Sequence, residues 1–91
     1  MIVAFDDDAW EDFCYWIDND AATADKLRAL IKDVRRSPFA GLGKPEPLRG
    51  AWQGFWSRRI TGEHRLVYRV SGSGDGRMLE IAQCRYHYGR R

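Results

Sequence analysis

The first apolar run, Ile2-Val3-Ala4-Phe5, stops at Asp6-Asp7-Asp8. A short strand is predicted there, and any of the three aspartates can cap the helix that follows. Trp10, Phe13, Cys14 and Ile17 then recur at i, i+3, i+4 and i+7, which predicts a helix over residues 9–17 with that stripe facing inward. Asn19-Asp20 interrupts it. The same spacing returns in Leu27, Leu30, Ile31 and Val34 and predicts a second helix over 22–36, with Lys32, Arg35 and Arg36 toward the end where the helix dipole favours cations. Ser37-Pro38 closes this helix, because the residue before proline is pushed out of the helical region. Two helices joined by so short a link make an antiparallel hairpin.

From residue 39 to residue 50 the chain carries three glycines and two prolines, so this stretch reads as an ordered connection. Strand signals return over 54–60, 64–70 and 78–86, separated by Thr61-Gly62-Glu63 and by a Gly/Ser-rich turn at 71–76. In the middle strand Leu66, Tyr68 and Val70 alternate with Arg65, Val67 and Arg69. One face is thus apolar, while the other carries two guanidinium groups and is where chemistry would sit. The order β-α-α-β-β-β predicts an α+β fold, with a helical hairpin packed on one side of a mainly antiparallel sheet. With 91 residues the chain is expected to form one domain, residues 1–91, since two would each be too small to bury a core.

Charge is distributed unevenly enough to matter. Residues 1–25 hold eight acids and no base, whereas residues 26–91 hold all 15 Lys and Arg against five acids, so a net charge of only +2 conceals a strongly cationic region. Such a region is either a set of solvated faces or a surface for polyanions, whose phosphates Lys and Arg neutralise. The N-terminus has no basic leader and no long apolar span, so neither a signal peptide nor a membrane segment is expected, and cytoplasm is the default. Cys14 and Cys84 are far apart and outside any CxxC, which favours two thiols over a disulfide. Cys84 and His87 alone fall short of the four ligands of a structural zinc site, and there is no HExxH, Walker loop or GxSxG. No metal and no cofactor is therefore expected.

Three groups of residues could carry chemistry. Glu46 stands between Pro45 and Pro47, whose rings stiffen the backbone, so it is either a preset general base or a solvated glutamate in a Pro-rich turn. Cys84-Arg85-Tyr86-His87-Tyr88 gathers an imidazole, two phenols and a guanidinium at a strand end. His87 is preferred over His64 as a proton donor because of that company, although either could be a packed imidazole. Arg58, Arg59, Arg65 and Arg69 lie in adjacent expected strands among Phe55, Trp56 and Tyr68, a mixture suited to gripping single-stranded RNA by phosphate pairing and base stacking. Tyr68 is expected in the core instead.

Four blocks resemble the YoeB-type toxins of the RelE superfamily: Ile31-Lys32-Asp33-Val34-Arg35-Arg36-Ser37-Pro38-Phe39, Gly41-Leu42-Gly43-Lys44-Pro45-Glu46-Pro47-Leu48, the run from Gly54 to Tyr68, and Cys84-Arg85-Tyr86-His87-Tyr88. The resemblance spans nearly the whole chain and implies a RelE-like fold. It further implies ribosome-dependent cleavage of mRNA in the A site of the 70S ribosome, without metal. Glu46 would take the proton from the 2′-hydroxyl, His87 would protonate the 5′-oxygen, Arg65 would stabilise charge on phosphorus, and Tyr88 would orient the substrate. Lys44, Arg49, Arg58 and Arg59 would contact RNA or the ribosome. The implied partners are a cognate YefM-like antitoxin, operator DNA reached through that antitoxin, and a second copy in a homodimer. Three departures stand out: Gly89-Arg90-Arg91 extends beyond the usual terminal tyrosine, residue 49 is arginine where lysine is usual, and the 71–76 turn is longer. The competing readings are a non-catalytic RNA-binding or co-repressor module of the same fold, and a ribosome-independent RNase.

Overall fold

In the computed structural model, which describes residues 1–87, a strand and two helices precede four more strands. β1 (Ile2–Phe5) leads into α1 (Asp7–Asn19) and α2 (Ala21–Arg36), followed by β2 (Glu46–Pro47), β3 (Trp56–Arg59), β4 (Arg65–Ser71) and β5 (Met78–Gln83). The strands form one sheet in the order β1-β5-β4-β3-β2, antiparallel except where β1 runs parallel to β5. The α+β architecture is the expected one. Its addition is β2: Glu46 and Pro47, expected within a connection, pair with Ser57 and Trp56 as a short edge strand. An edge tolerates Pro47 because no neighbour beyond it asks for the missing N–H.

The core follows the patterning in α2 and departs from it in α1. Leu27, Leu30, Ile31 and Val34 are all buried against Leu66, Tyr68, Leu79 and Ile81. Asp20 starts this helix by accepting from both the Thr23 hydroxyl and the Thr23 N–H, and these bonds hold its carboxyl below the usual range. In α1 the inward stripe is Ala9, Asp12 and Trp16, while Trp10 and Ile17 remain 50% and 53% exposed. The rotation has a polar cause. The Asp12 carboxylate accepts the Cys84 N–H (3.1 Å) and the Trp16 Nε1–H donates to the Cys84 carbonyl (2.8 Å), so two polar groups on the inner side tie α1 to the end of β5. Trp10 instead packs edge-on against Phe5 and Phe13. Among the described residues Cys14 and Cys84 form no disulfide, and the Cys84 thiol donates to the Ala9 carbonyl.

Arg58 corrects a second expectation. Read as a phosphate ligand, it lies fully buried on the helix side of β3. All five of its N–H groups are taken by the fold: Nε donates to the Tyr68 hydroxyl (3.2 Å), Nη1 to Asp33 and to the Leu42 carbonyl (3.1 Å), and Nη2 to the carbonyls of Ser37 (2.6 Å) and Ala40 (2.9 Å). It therefore holds the 37–42 loop to α2 and leaves nothing for RNA. Tyr68 is buried as expected; its hydroxyl donates to the Pro38 carbonyl, and burial raises its ionisation above the ordinary phenol value. Gly41 is required here, because a Cβ on its positive-φ backbone would collide with the Asp33 carboxylate.

The Leu42 N–H and then the Arg58 guanidinium hold Asp33 below its ordinary value of 3.8. The stability this contributes is present above that ordinary value and is lost as pH falls through the depressed folded value. Thermal unfolding followed by circular dichroism should therefore weaken below about pH 4 more steeply in the wild type than in Asp33→Asn. At neutral pH, Arg58→Met should lower Tm by at least about 10 °C, because it strands a buried carboxylate and three carbonyls. A Tm within a few degrees of wild type would show that this network does not hold the fold.

Candidate functional site

The sheet has a second face, away from the helices, and the register says which residues share it. Glu46 on β2 stands opposite Ser57, Ser57 opposite Val67 on β4, and Val67 opposite Gln83 on β5. Arg59 and Arg65 form the next pair along the same face, beside the turn between β3 and β4. The floor is apolar: Val67, Ala82 and Leu48 are buried under Trp52 and Phe55, which fold back from the β2–β3 connection. Arg69 lies over the Phe55 ring (4.8 Å) and pairs with Glu80 (2.7 Å).

An irregularity in the register decides which side chains of β5 reach this face. Tyr68 pairs with Ile81 but Val67 pairs with Gln83, so residue 82 is extra. The bulge re-aims the end of the strand. Ala82 packs on the Val67 side, Gln83 follows it, and Cys84 returns to the core under the helices. Strict alternation along the expected 78–86 strand would have sent Gln83 inward.

β5 ends at Gln83, three residues short of expectation, because Tyr86 takes a left-handed conformation (φ 65°) that no strand accommodates. Two side chains, with one backbone bond from β4, hold this turn. The Tyr86 N–H donates to Nδ1 of His64 (2.7 Å), the Arg65 N–H donates to the Tyr86 carbonyl (2.9 Å), and Gln83 Nε2 donates to the carbonyls of Arg85 (3.0 Å) and His87 (2.6 Å). His64 is itself wedged edge-on against Trp16 (4.8 Å between centroids). Its Nδ1 must be unprotonated to accept, which makes His64 an anchor for the segment that carries His87. Arg85 spreads its guanidinium over Tyr15 (3.4 Å) and Tyr86 (4.6 Å).

The expected site residues are thus distributed as follows. Glu46 is exposed on β2, and its backbone is reached through Lys44, which is itself in a left-handed conformation (φ 53°). Arg65 is half-buried; its Nη1 is fixed by the carbonyls of Thr61, Gly62 and His64, while Nε and Nη2 take no protein acceptor among the described residues. His87 is exposed and directly follows Tyr86, whose carbonyl accepts the Arg65 N–H. From β2 to β5 is three strand spacings, roughly 14 Å. Lys44, Arg49 and Arg59 are exposed, and Arg49 borders an open cavity of about 550 Å³ along the β2–β3 hairpin. Arg58 is not part of this surface. Tyr88 lies outside the described residues. Gln83 also lies on this face; its only signal in the sequence is a carboxamide following Leu79, Ile81 and Ala82.

Residues 5–88 match the family model described as YoeB-like toxin of bacterial type II toxin-antitoxin system. The toxin YoeB of Escherichia coli K12 is 51% identical over 88 residues, covering 97% of this chain and all of that protein. A YoeB/ParE toxin from Agrobacterium tumefaciens superposes with a TM-score of 0.92 at 53% identity, over 97% of this chain and all of the other. A heterotetrameric YoeB-YefM toxin-antitoxin complex from Staphylococcus aureus contains a chain with a TM-score of 0.85 at 40% identity, over 97% and 98% of the two chains.

The anchor at residue 64 can be tested alone. Replacing His64 with Leu removes the acceptor for the Tyr86 N–H, so hydrogen exchange at the Tyr86 amide should accelerate by about tenfold or more, while amides in β4 away from the turn keep their protection. Unchanged exchange at Tyr86 would mean that another group holds the turn.

Proposed function

The chain belongs to the YoeB-like toxins of bacterial type II toxin–antitoxin systems, and from that footing we propose that it is a ribosome-dependent endoribonuclease that cuts mRNA in the A site and so halts translation. The observation that supports this most is the shared face: Glu46, Arg65 and the segment carrying His87 border one open, cationic surface of the sheet, with Arg59 between them.

In this reading the substrate brings its own nucleophile. Glu46 removes the proton from the 2′-hydroxyl, and the 2′-oxygen attacks the adjacent phosphorus. The bond to the 5′-oxygen breaks as His87 donates a proton to it, leaving a 2′,3′-cyclic phosphate and a 5′-hydroxyl. Arg65 faces the charge that builds on the non-bridging oxygens with its Nε and Nη2, while Nη1 keeps it in place. Tyr88 orients the substrate beside His87, and Lys44, Arg49 and Arg59 hold phosphates of mRNA or ribosomal RNA. No step calls for a metal ion.

The partners follow from the same surface. A cationic face is covered by an acidic antitoxin segment that orders on binding, a YefM-like partner being the natural candidate given the Staphylococcus aureus complex. Through that antitoxin the pair would reach operator DNA, and a homodimer is the expected self-association. Among the described residues no helix is long and apolar enough to cross a membrane, and the work of the toxin on ribosomes would be done in the cytoplasm.

Programmed ribosomes mixed with purified protein should yield discrete mRNA fragments. Glu46→Ala and His87→Ala should each reduce cutting by roughly 10²–10⁴-fold with ribosome binding intact. Unchanged cutting by either variant would discard the assigned roles, and strong cutting of naked RNA would favour a ribosome-independent RNase.

A further inference from the structure

We infer that Gln83 is a positioning residue for the reaction: its carboxamide sets where His87 stands relative to the scissile phosphate. The inference rests on the reading of His87 as the proton donor. Gln83 is fully buried, is carried to the open face by the β5 bulge, and stands in the same cross-sheet row as Glu46. It is the last residue of β5, so the chain beyond it has no ladder to continue. One nitrogen does that work. Nε2 donates one N–H to the Arg85 carbonyl and the other to the His87 carbonyl, closing the loop that reverses around Tyr86.

The rest of the amide explains why this is a constraint and not incidental filling. Among the described residues, Oε1 is buried and meets no hydrogen-bond donor. A native protein rarely leaves such an acceptor unpaired. Turning the amide over would satisfy nothing, since it would press Oε1 against two carbonyl oxygens. The orientation is thus dictated by the two backbone carbonyls, which the two N–H donors on Nε2 bridge. His64 and Arg65 fix Tyr86 from the β4 side, and Gln83 fixes the residues on either side of it. Removing Gln83 leaves the Tyr86 turn attached but takes away the bond that fixes the His87 carbonyl, and so shifts His87 relative to that turn. A displacement of about 1 Å in a reacting group can cost about 10²-fold in rate.

The test uses full-length protein on programmed ribosomes, with Gln83→Met, which keeps length and apolar packing but has no donor. Gln83→Glu, which keeps the shape and also lacks both N–H groups, guards against a folding defect of the first variant. Single-turnover cleavage by Gln83→Met should fall by about 10–100-fold at saturating toxin, with ribosome affinity and Tm unchanged. Each variant is then given mRNA in which the scissile 5′-oxygen is replaced by sulfur, a leaving group that departs without a proton. Both His87→Ala and Gln83→Met should recover on this substrate to within about threefold of wild type, as expected when only proton donation is impaired. Glu46→Ala should not recover. If His87→Ala recovers while Gln83→Met either stays defective or was never slowed, Gln83 is not positioning the proton donor. If His87→Ala itself fails to recover, the assignment of His87 as the acid is wrong and this inference falls with it.

Discussion

A guanidinium removed from water must find an acceptor for each of its N–H groups, and Arg58 finds all five inside the fold. Three of these acceptors are backbone carbonyls in residues 37–42, a stretch with neither helix nor strand of its own. Asp33 supplies the compensating charge from α2 and also receives the Leu42 N–H. The arrangement converts a glycine-rich loop into a fixed path, from the end of α2 through Lys44 to β2. Glu46 inherits its position from that path and from the prolines on both sides. Lysine could not substitute: it has three donors on one atom and no planar fork with which to reach acceptors on three sides.

The other end of the open face is fixed by different means. α1 turns Asp12 and Trp16 inward to hold Cys84, and Trp16 also backs His64, which in turn holds Tyr86. The helical hairpin therefore controls both borders of the open face through the sheet: α2 by way of Arg58 and the loop to Glu46, and α1 by way of Cys84 and His64 to the segment carrying His87. The cations left uncompensated on the surface, Arg59 and Arg65 among them, lie between these borders. Their charge is available because the fold spends its buried ion pair on the opposite side of the same strand.

How much of this was legible in the sequence depended on whether a residue obeyed a period. α2, the alternation in β4 and the burial of Tyr68 followed from spacing alone, because in each the apolar side chains face one neighbour. α1 did not, since Asp12 is buried for its hydrogen bond and hydropathy counts it as surface. Arg58 and Arg59 are adjacent and chemically identical, yet alternation sends one into the core and the other to the open face; nothing short of the register with β4 assigns them. Gln83 required the bulge at residue 82, which shifts every later side chain by one position and has no local signature. The blocks that resemble the toxin family pointed to Glu46, Arg65 and His87, but Arg58 was grouped with the surface arginines when its place is beneath them.

The proposed chemistry depends on the substrate ribose as nucleophile, and a single atom decides it. An mRNA with a 2′-deoxy nucleotide at the scissile position alone, placed in the A site of programmed ribosomes, should bind the toxin as the all-ribose message does and remain uncut. The all-ribose control should yield a 2′,3′-cyclic phosphate and a 5′-hydroxyl end. Cleavage of the 2′-deoxy message at the control rate would mean that an external nucleophile is used, and would contradict the account.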